Sequence, residues 1–167
     1  MPVEISCQGW YSCYADRWSR RKQCFCLVLT IKKKVLFLCT GNACRSQIAE
    51  GILRYLADDK FEAYSAGTTP SQVHPLAIKV MEEWGIDISH HTSDHVDDFP
   101  DKEIDIIITL SNLAQELCPS FPGKVEQLHW DIPDPFPGWV DDSHFLPKFR
   151  EVRNIIRSHI ETFLQNH

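Results

Sequence analysis

The stretch that decides the fold reads Val35-Leu36-Phe37-Leu38-Cys39-Thr40-Gly41-Asn42-Ala43-Cys44-Arg45-Ser46. Its first four residues are apolar and predict a buried strand, and a short loop begins directly after them. The residues that follow place Ile48, Ile52 and Leu56 at helical spacing, which predicts a helix over 46–58. The predicted order is therefore strand, tight loop, helix.

A loop that leads into a helix has a defined chemistry. The first turn of a helix leaves backbone N–H groups unpaired, and these groups bind oxyanions together with the positive end of the helix dipole. A thiol in the same field is stabilised as the anion, so we expect Cys39 to be a thiolate at neutral pH. The guanidinium of Arg45 suits two oxygens of a tetrahedral anion. The predicted oxyanion-binding residues are Thr40, Gly41, Asn42, Ala43, Cys44, Arg45 and Ser46.

Two side chains of this loop have further expected roles. Ser46 can donate a hydroxyl hydrogen bond to the sulfur of Cys39. Asn42 can brace the loop, because asparagine tolerates left-handed backbone angles and bonds to nearby amides. The alternative interpretation of Cys39 is a buried structural cysteine in a strand-loop-helix unit. The combination with Arg45, Ser46 and Asn42 favours the anion site over that alternative.

The arrangement of cysteine, five residues, arginine and serine resembles the low-molecular-weight protein tyrosine phosphatase superfamily. The continuation through Gln47 to Gly51 is similar to the arsenate reductase branch of that superfamily, whereas its phosphatase branch usually has proline at the position of Gln47. The resemblance covers roughly residues 33–135. Other segments that look like the reductase branch are Ile108-Thr109-Leu110, Cys118-Pro119 and His129-Trp130.

The rest of the chain predicts a regular alternation. Strands are predicted over 61–65, 104–110 and 125–130, and helices over 75–84, 111–117 and 141–164, with a turn and a short surface helix over 87–95. His74 precedes the second helix and is interpreted as structural. These elements predict a single α/β domain with a four-stranded, doubly wound parallel sheet and helices on both faces. Sites in such folds lie at the carboxyl ends of the strands.

Composition narrows the class of protein. A chain of 167 residues with 43% hydrophobic residues is long enough for one domain with a sizeable core. The net charge is −6, and the acidic body over 35–167 argues against a nucleic-acid partner. No apolar run reaches the roughly 18 residues of a membrane span. We therefore expect a cytoplasmic protein without a membrane or nucleic-acid partner, and we expect no metal site.

The N-terminal region differs from the body. Residues 1–31 carry four of the seven cysteines and precede the family resemblance. We expect this region to be a disordered or spurious N-terminal extension. The expected domain is a low-molecular-weight phosphatase or arsenate reductase-like unit over 32–167. A chain of this size needs no disulfide framework, which favours a reducing compartment.

Asp134-Pro135 resembles the general-acid dipeptide of the same family. It follows the fourth predicted strand, as Cys39 follows the first, so both should lie at one edge of the sheet. A nucleophile that displaces an oxygen leaving group needs a proton donor opposite it. Asp134 is the candidate acid, and Asp131 is the second choice. The predicted catalytic set is therefore Cys39, Arg45 and Asp134.

The resemblance leaves three functions to consider. An arsenate reductase would form a Cys39–arsenate adduct that a second thiol resolves. A protein tyrosine phosphatase would hydrolyse phosphoesters through a cysteinyl-phosphate, but phosphatases of this family carry tyrosine after the Asp-Pro, where this chain has Phe136 and Pro137. A non-catalytic oxyanion-binding module is the third alternative. The reductase fits the resemblance best.

The resolving thiol is the remaining question. Thioredoxin-coupled members of the reductase branch have two further cysteines, and Cys118 matches the second while Ser111 replaces the first. Either Cys118 attacks directly or an external thiol does so. The expected reductant is thioredoxin, glutaredoxin/glutathione or mycothiol, with no tightly bound cofactor. The expected partners are a small oxyanion and a redox protein.

Overall fold

The structure is a computed structural model that describes residues 31–139 and 142–167. Its helices and strands are β1 (Lys33–Cys39), α1 (Arg45–Ala57), β2 (Phe61–Gly67), α2 (Pro75–Glu82), β3 (Ile106–Thr109), α3 (Asn112–Glu116), β4 (Glu126–His129) and α4 (Leu146–Asn166). Short 3₁₀ turns lie at Val96–Asp98, Pro100–Lys102 and Ser143–Phe145. The expectation of an N-terminal extension falls outside the described residues, except for Ile31.

The four strands form one parallel sheet in the order β2-β1-β3-β4. Cys39 at the end of β1 is in register with Gly67 at the end of β2, and Leu38 is in register with Thr109 of β3. The predicted four-stranded parallel sheet is confirmed. The carboxyl ends of β1 and β3 lie side by side, which brings the segments that follow them to a common edge.

Side chains of β1 alternate between two buried layers. Val35 and Phe37 pack in the core that includes the apolar residues of α1, α2 and α4. Leu36 and Leu38 pack on the opposite face, against Ala114 of α3 and the 3₁₀ turns. Both faces of the strand are therefore removed from water, which explains its continuous apolar sequence and confirms the doubly wound arrangement.

The last helix carries the predicted apolar stripe but begins later than predicted. Its buried residues recur at steps of three and four and include Phe149, Val152, Arg153, Ile156, Ile160 and Phe163. The predicted start at 141 is wrong, because the Asp142 side chain accepts a hydrogen bond from the backbone N–H of His144 and caps a 3₁₀ turn. In the described part of the chain, no helix combines the length and hydropathy needed to cross a membrane.

The predicted short helix within 87–95 is also wrong. The segment turns at 89–90 and has no regular secondary structure over 91–94, and His95 then forms a β-bridge with Gly67. Asp94 donates its backbone N–H to the Asn42 side chain and accepts from Gly67 N–H at 2.9 Å. These long-range bonds occupy the peptide groups that a helix would have used.

Candidate active site

The carbonyl groups of the loop between Cys39 and Arg45 accept hydrogen bonds from residues outside the loop. Backbone N–H groups of Thr68, Thr69, Ser71 and His74 donate to the carbonyls of Cys39, Thr40, Gly41 and Ala43 at 2.9–3.3 Å. Within the part of the chain that the structure describes, no acceptor pairs with the N–H groups of residues 40–46. The backbone N–H groups of the loop therefore remain available beside the start of α1, and such groups form oxyanion sites.

Asn42 braces this loop from within. Its backbone is left-handed, with φ of +44° as the sequence predicted, and its side chain is fully buried. The amide oxygen accepts from the backbone N–H of Asp94, while Nδ2 donates to Ser46 Oγ and Ser65 Oγ at 2.9 Å each. One side chain thus joins the loop, α1, β2 and the segment before the first 3₁₀ turn.

The hydrogen bond from Asn42 also positions the Ser46 hydroxyl beside the candidate nucleophile Cys39. Cys39 Sγ lies 3.0 Å from Ser46 Oγ, and both side chains are buried. Because Ser46 Oγ already accepts from Asn42, its own hydrogen is free to point at the sulfur. The Ser46 hydroxyl is therefore placed to donate a hydrogen bond to a sulfur anion at Cys39.

Gly67 allows the loop to approach the end of β2. A Cβ at this position would lie 2.8 Å from both the backbone nitrogen of Asn42 and the carbonyl oxygen of Thr40. Real Cβ atoms do not approach backbone atoms so closely. A side chain at residue 67 would therefore displace the candidate anion loop itself.

Arg45 connects the loop to the segment after β4. One guanidinium nitrogen donates to the carbonyl of Ile132 at 3.1 Å and to that of Leu110 at 3.4 Å, and the other donates to Asp134 Oδ2 at 3.1 Å. Arg45 is 8% exposed, whereas the Asp134 side chain is 56% exposed. The structure thus brings Cys39, Arg45 and Asp134 to one edge of the sheet, as the sequence predicted from their places after the strands.

Asp134 has a second contact, because its Oδ1 accepts the backbone N–H of Phe136 at 3.1 Å. This local bond shapes the turn that carries the carboxylate. Asp131 is exposed and lies before Ile132, whose carbonyl binds Arg45. The ion pair with Arg45 distinguishes Asp134 from Asp131 as the carboxylate associated with the loop.

Gln47, which the sequence marked only as a point of resemblance to the reductase branch, forms a buried network with His91 that the sequence did not predict. Gln47 is fully buried, and its Nε2 donates to Asn42 and to the Thr92 carbonyl, while its oxygen accepts from His91 Nδ1 at 2.9 Å. His91 lies in the segment predicted as a surface helix, but its side chain is 4% exposed. Burial, with repulsion from Arg54, lowers the pKa of His91 to about 4, so the ring is neutral near pH 7.

The acidic neighbour of this network is Glu50 on α1. Its side chain is 9% exposed and pairs with Arg54 at 2.7 Å. Burial raises the pKa of Glu50, and a hydrogen bond to Ser65 and the charge of Arg54 partly oppose that rise. Ser65 also accepts from Asn42. The carboxylate is therefore linked through two side chains to the hydroxyl beside Cys39.

The other cysteines of the described region have different surroundings. Cys44 lies in the loop, where burial and then the proximity of Cys39 raise its thiol pKa, so it is protonated at neutral pH. Cys118 is half-buried beyond the end of α3, and burial raises its pKa as well. Ser111 lies nearer the loop, with its Oγ 3.4 Å from Thr40 Oγ1, and it caps α3 through the N–H of Ala114.

Comparison with known proteins gives a consistent picture. The family model described as low molecular weight phosphotyrosine protein phosphatase matches residues 34–166. An arsenate reductase of Halalkalibacterium halodurans is 42% identical over 134 residues, which are 80% of this chain and 96% of that protein.

Solved structures match over a similar span. An arsenate reductase in a phosphate-binding state superposes with a TM-score of 0.69 at 38% identity, and the match covers 80% of this chain and 98% of that one. A thioredoxin-dependent arsenate reductase of Corynebacterium glutamicum matches with a TM-score of 0.62 at 30% identity. That match covers 84% of this chain and 66% of the other.

Proposed function

The chain belongs to the low molecular weight phosphotyrosine protein phosphatase family, and from that premise we propose that it reduces arsenate to arsenite. The chain is an enzyme of this family, and arsenate reductase is the function it carries. The observation that supports this activity most strongly is the 42% identity to an arsenate reductase over nearly that protein's whole length. The Cys39–Ser46 and Arg45–Asp134 contacts supply the nucleophile and acid that this reaction needs, which phosphoester hydrolysis would also use.

The proposed first step is attack of the Cys39 thiolate on arsenic. The S–As bond forms, one As–O bond breaks, and Asp134 delivers a proton so that the oxygen leaves as water. The guanidinium of Arg45 and the amides of residues 40–46 hold the remaining oxygens as their charge develops. The product of this step is a covalent adduct in which arsenic is still pentavalent.

The proposed second step reduces the arsenic. A thiolate attacks the Cys39 sulfur, the S–As bond breaks, and its electron pair leaves with arsenic as arsenite. The two sulfurs are oxidised to a disulfide, and a further thiol restores Cys39 by disulfide exchange. The overall balance is one arsenate and two thiols converted to arsenite, one disulfide and water.

A thiol reductant is the class of electron donor that the relatives indicate, and we propose that an external low-molecular-weight thiol attacks the adduct. Ser111 stands beside Thr40, but serine cannot form a relay disulfide. Cys118 lies beyond the opposite end of α3, and burial raises its pKa, which disfavours its thiolate. Glutathione or mycothiol therefore fits this chain better than an internal relay to thioredoxin.

Phosphoester hydrolysis is a second candidate, because one observation favours it. Phe136 and Trp139 form an edge-to-face aromatic pair, 5.2 Å between ring centroids, on the loop that carries Asp134, and both rings are partly exposed. Such a pair could receive the ring of an aryl phosphate. In that reaction, Asp134 would protonate the leaving aryloxide and water would hydrolyse the cysteinyl-phosphate.

One experiment separates these activities. The full chain is given arsenate with a thioredoxin, a glutaredoxin/glutathione or a mycothiol system, and arsenite is measured; an aryl phosphate is tested separately. Arsenite formation that is lost in Cys39→Ser supports the proposal. Aryl phosphate hydrolysis without arsenite formation assigns the site to the phosphatase reaction. Anion binding without either product would refute both enzyme assignments.

A further inference from the structure

His74 holds two loops that belong to different parts of the chain. Its backbone N–H donates to the carbonyl of Ala43 in the anion loop at 2.9 Å. Its side-chain Nε2 lies 3.0 Å from the carbonyl of Gly138, later in the loop that carries Asp134. A single fully buried residue therefore fixes the position of one loop relative to the other.

The hydrogen bonds of His74 assign its tautomer. Nδ1 accepts from the backbone N–H of Leu76 at 3.1 Å and caps the start of α2. A ring nitrogen that accepts from an amide carries no proton, so the hydrogen of the neutral ring is on Nε2. Gly138 offers only a carbonyl oxygen to this contact, and Nε2–H is therefore the donor.

Aromatic contacts hold the His74 ring in place. The ring stacks on Phe149 of α4 at 5.1 Å between centroids and on Trp139 at 5.6 Å, and Phe136 meets it edge-on at 5.6 Å. Two of these rings belong to the loop after β4, and the third anchors the stack to the core. The loop is thus attached to His74 by a hydrogen bond and two ring contacts.

We propose that His74 is a positioning residue for Asp134 in the reaction of Cys39. Arg45 holds the start of the loop through Ile132 and Asp134, and His74 holds its end through Gly138. With both ends held, the half-exposed Asp134 carboxylate keeps one place opposite the anion loop. This inference rests on the proposed function, because it assigns His74 a part in the proton transfer by Asp134.

Two substitutions separate the two side-chain bonds of His74. His74→Asn keeps a short acceptor for the Leu76 N–H, since asparagine is a favoured N-cap, but its side chain is too short to reach Gly138. His74→Gln places an amide N–H near the former Nε2 and gives up the cap. A positioning role predicts that H74N loses kcat roughly 10–100-fold while H74Q retains most of it. A purely structural capping role predicts the reverse order.

The affinity of the anion loop provides the second readout. Phosphate protection of Cys39 against alkylation should be the same in H74N and the wild type, because the backbone bond to Ala43 remains. His95→Asn is the matched control: His95 also caps a turn through Nδ1 and contacts a carbonyl through Nε2, but that carbonyl belongs to Thr68. We expect H95N to keep the wild-type kcat.

A double-mutant cycle with Asp134→Asn gives the decisive result. If His74 acts through Asp134, H74N should cost no further activity in the D134N background. An equal loss in both backgrounds, or a greater loss in H74Q than in H74N, would overturn the inference. Should H74N fail to fold, Trp139→Leu removes one ring contact from an exposed site and is tested in the same cycle. Failure of the wild type to reduce arsenate would refute the proposed function, and this outcome is distinct from an activity loss that is confined to the His74 variants.

Discussion

The guanidinium of Arg45 and the carboxylate of Asp134 form an ion pair at 3.1 Å across the edge of the sheet. Arg45 also donates to the carbonyl of Leu110, which follows β3, and to that of Ile132, which lies two residues before Asp134. The pair joins the helix that follows β1 to the loop that follows β4. Residues that follow two non-adjacent strands therefore belong to one candidate site.

Replacing Asp134 by asparagine should remove the proton donor while the amide oxygen still accepts from Arg45. We expect arsenate turnover and aryl phosphate hydrolysis to fall by about 10²–10⁴-fold, with little change in phosphate affinity. Steady-state rates with an excess of thiol provide the measurement. Asp131→Asn is the control and should retain its rate; a large loss there with none in D134N would transfer the acid role to Asp131.

Replacing Cys118 by serine tests whether the resolving thiol is internal. Because Cys118 is half-buried and its pKa is raised, we expect C118S to keep full arsenate reduction with glutathione or mycothiol. The measurement is arsenite formed at saturating thiol. A loss of turnover that added small thiol does not restore would show that Cys118 itself resolves the adduct.

Introducing cysteine at Ser111 should create the missing relay thiol. The side chain at 111 already reaches within 3.4 Å of Thr40 Oγ1, next to the nucleophile. We expect Ser111→Cys to gain thioredoxin-dependent turnover by about tenfold or more, because an intramolecular thiol has a high effective concentration. Ser111→Ala controls for loss of the α3 cap, and S111C/C118S should lose the gain; an unchanged thioredoxin rate in S111C would count against the relay geometry.

Replacing Gly67 by alanine should disturb the anion loop. The added Cβ meets backbone atoms of Thr40 and Asn42 that cannot rotate away, so we expect a destabilisation of about 1–3 kcal/mol. Urea unfolding measures it, and weaker phosphate protection of Cys39 should accompany it. Gly41→Ala is the stability control, since its Cβ would find only contacts at 3.8 Å or longer. Equal stability losses in the two variants would contradict the steric account.

The buried His91 predicts a pH dependence of stability. Its pKa is about 4 in the folded chain and about 6.5 in the unfolded chain. Between these values the unfolded state binds more protons, so the contribution of His91 is complete above pH 6.5 and is lost as the pH falls towards 4. Unfolding free energies across this range should show a shallower slope in His91→Asn, whereas His90→Asn, which removes only the repulsion from His90, should change the slope less. Identical slopes for H91N and the wild type would refute the assignment.

The parts of the fold that the sequence predicted are those set by neighbouring residues. The apolar run before Cys39 and the helical spacing after it are local patterns, and the stripe from Phe149 to Phe163 is periodic over a long span. Asn42 could be identified because few residues tolerate a left-handed backbone. The common edge of Cys39 and Asp134 followed from parallel topology alone.

The parts that it did not predict depend on contacts between distant segments. Gln47 and His91 are 44 residues apart, and neither has a local pattern that marks it as buried. The composition of 87–95 is compatible with a turn and helix, yet the peptide groups of Asp94 bond to Gly67 and Asn42 and are not available to a helix. Tertiary hydrogen bonds outweighed local propensity at this point.

The buried amide of Gln47 also bears on substitution at this position. Proline, usual at this place in the phosphatase branch, would suit the first turn of α1 by its backbone geometry. It would nevertheless strand the Nδ1–H of His91 without an acceptor, in a side chain that is 4% exposed. In this chain, the cost of proline at residue 47 therefore depends on which side chain occupies residue 91. The two positions are energetically coupled, although they are far apart in the sequence.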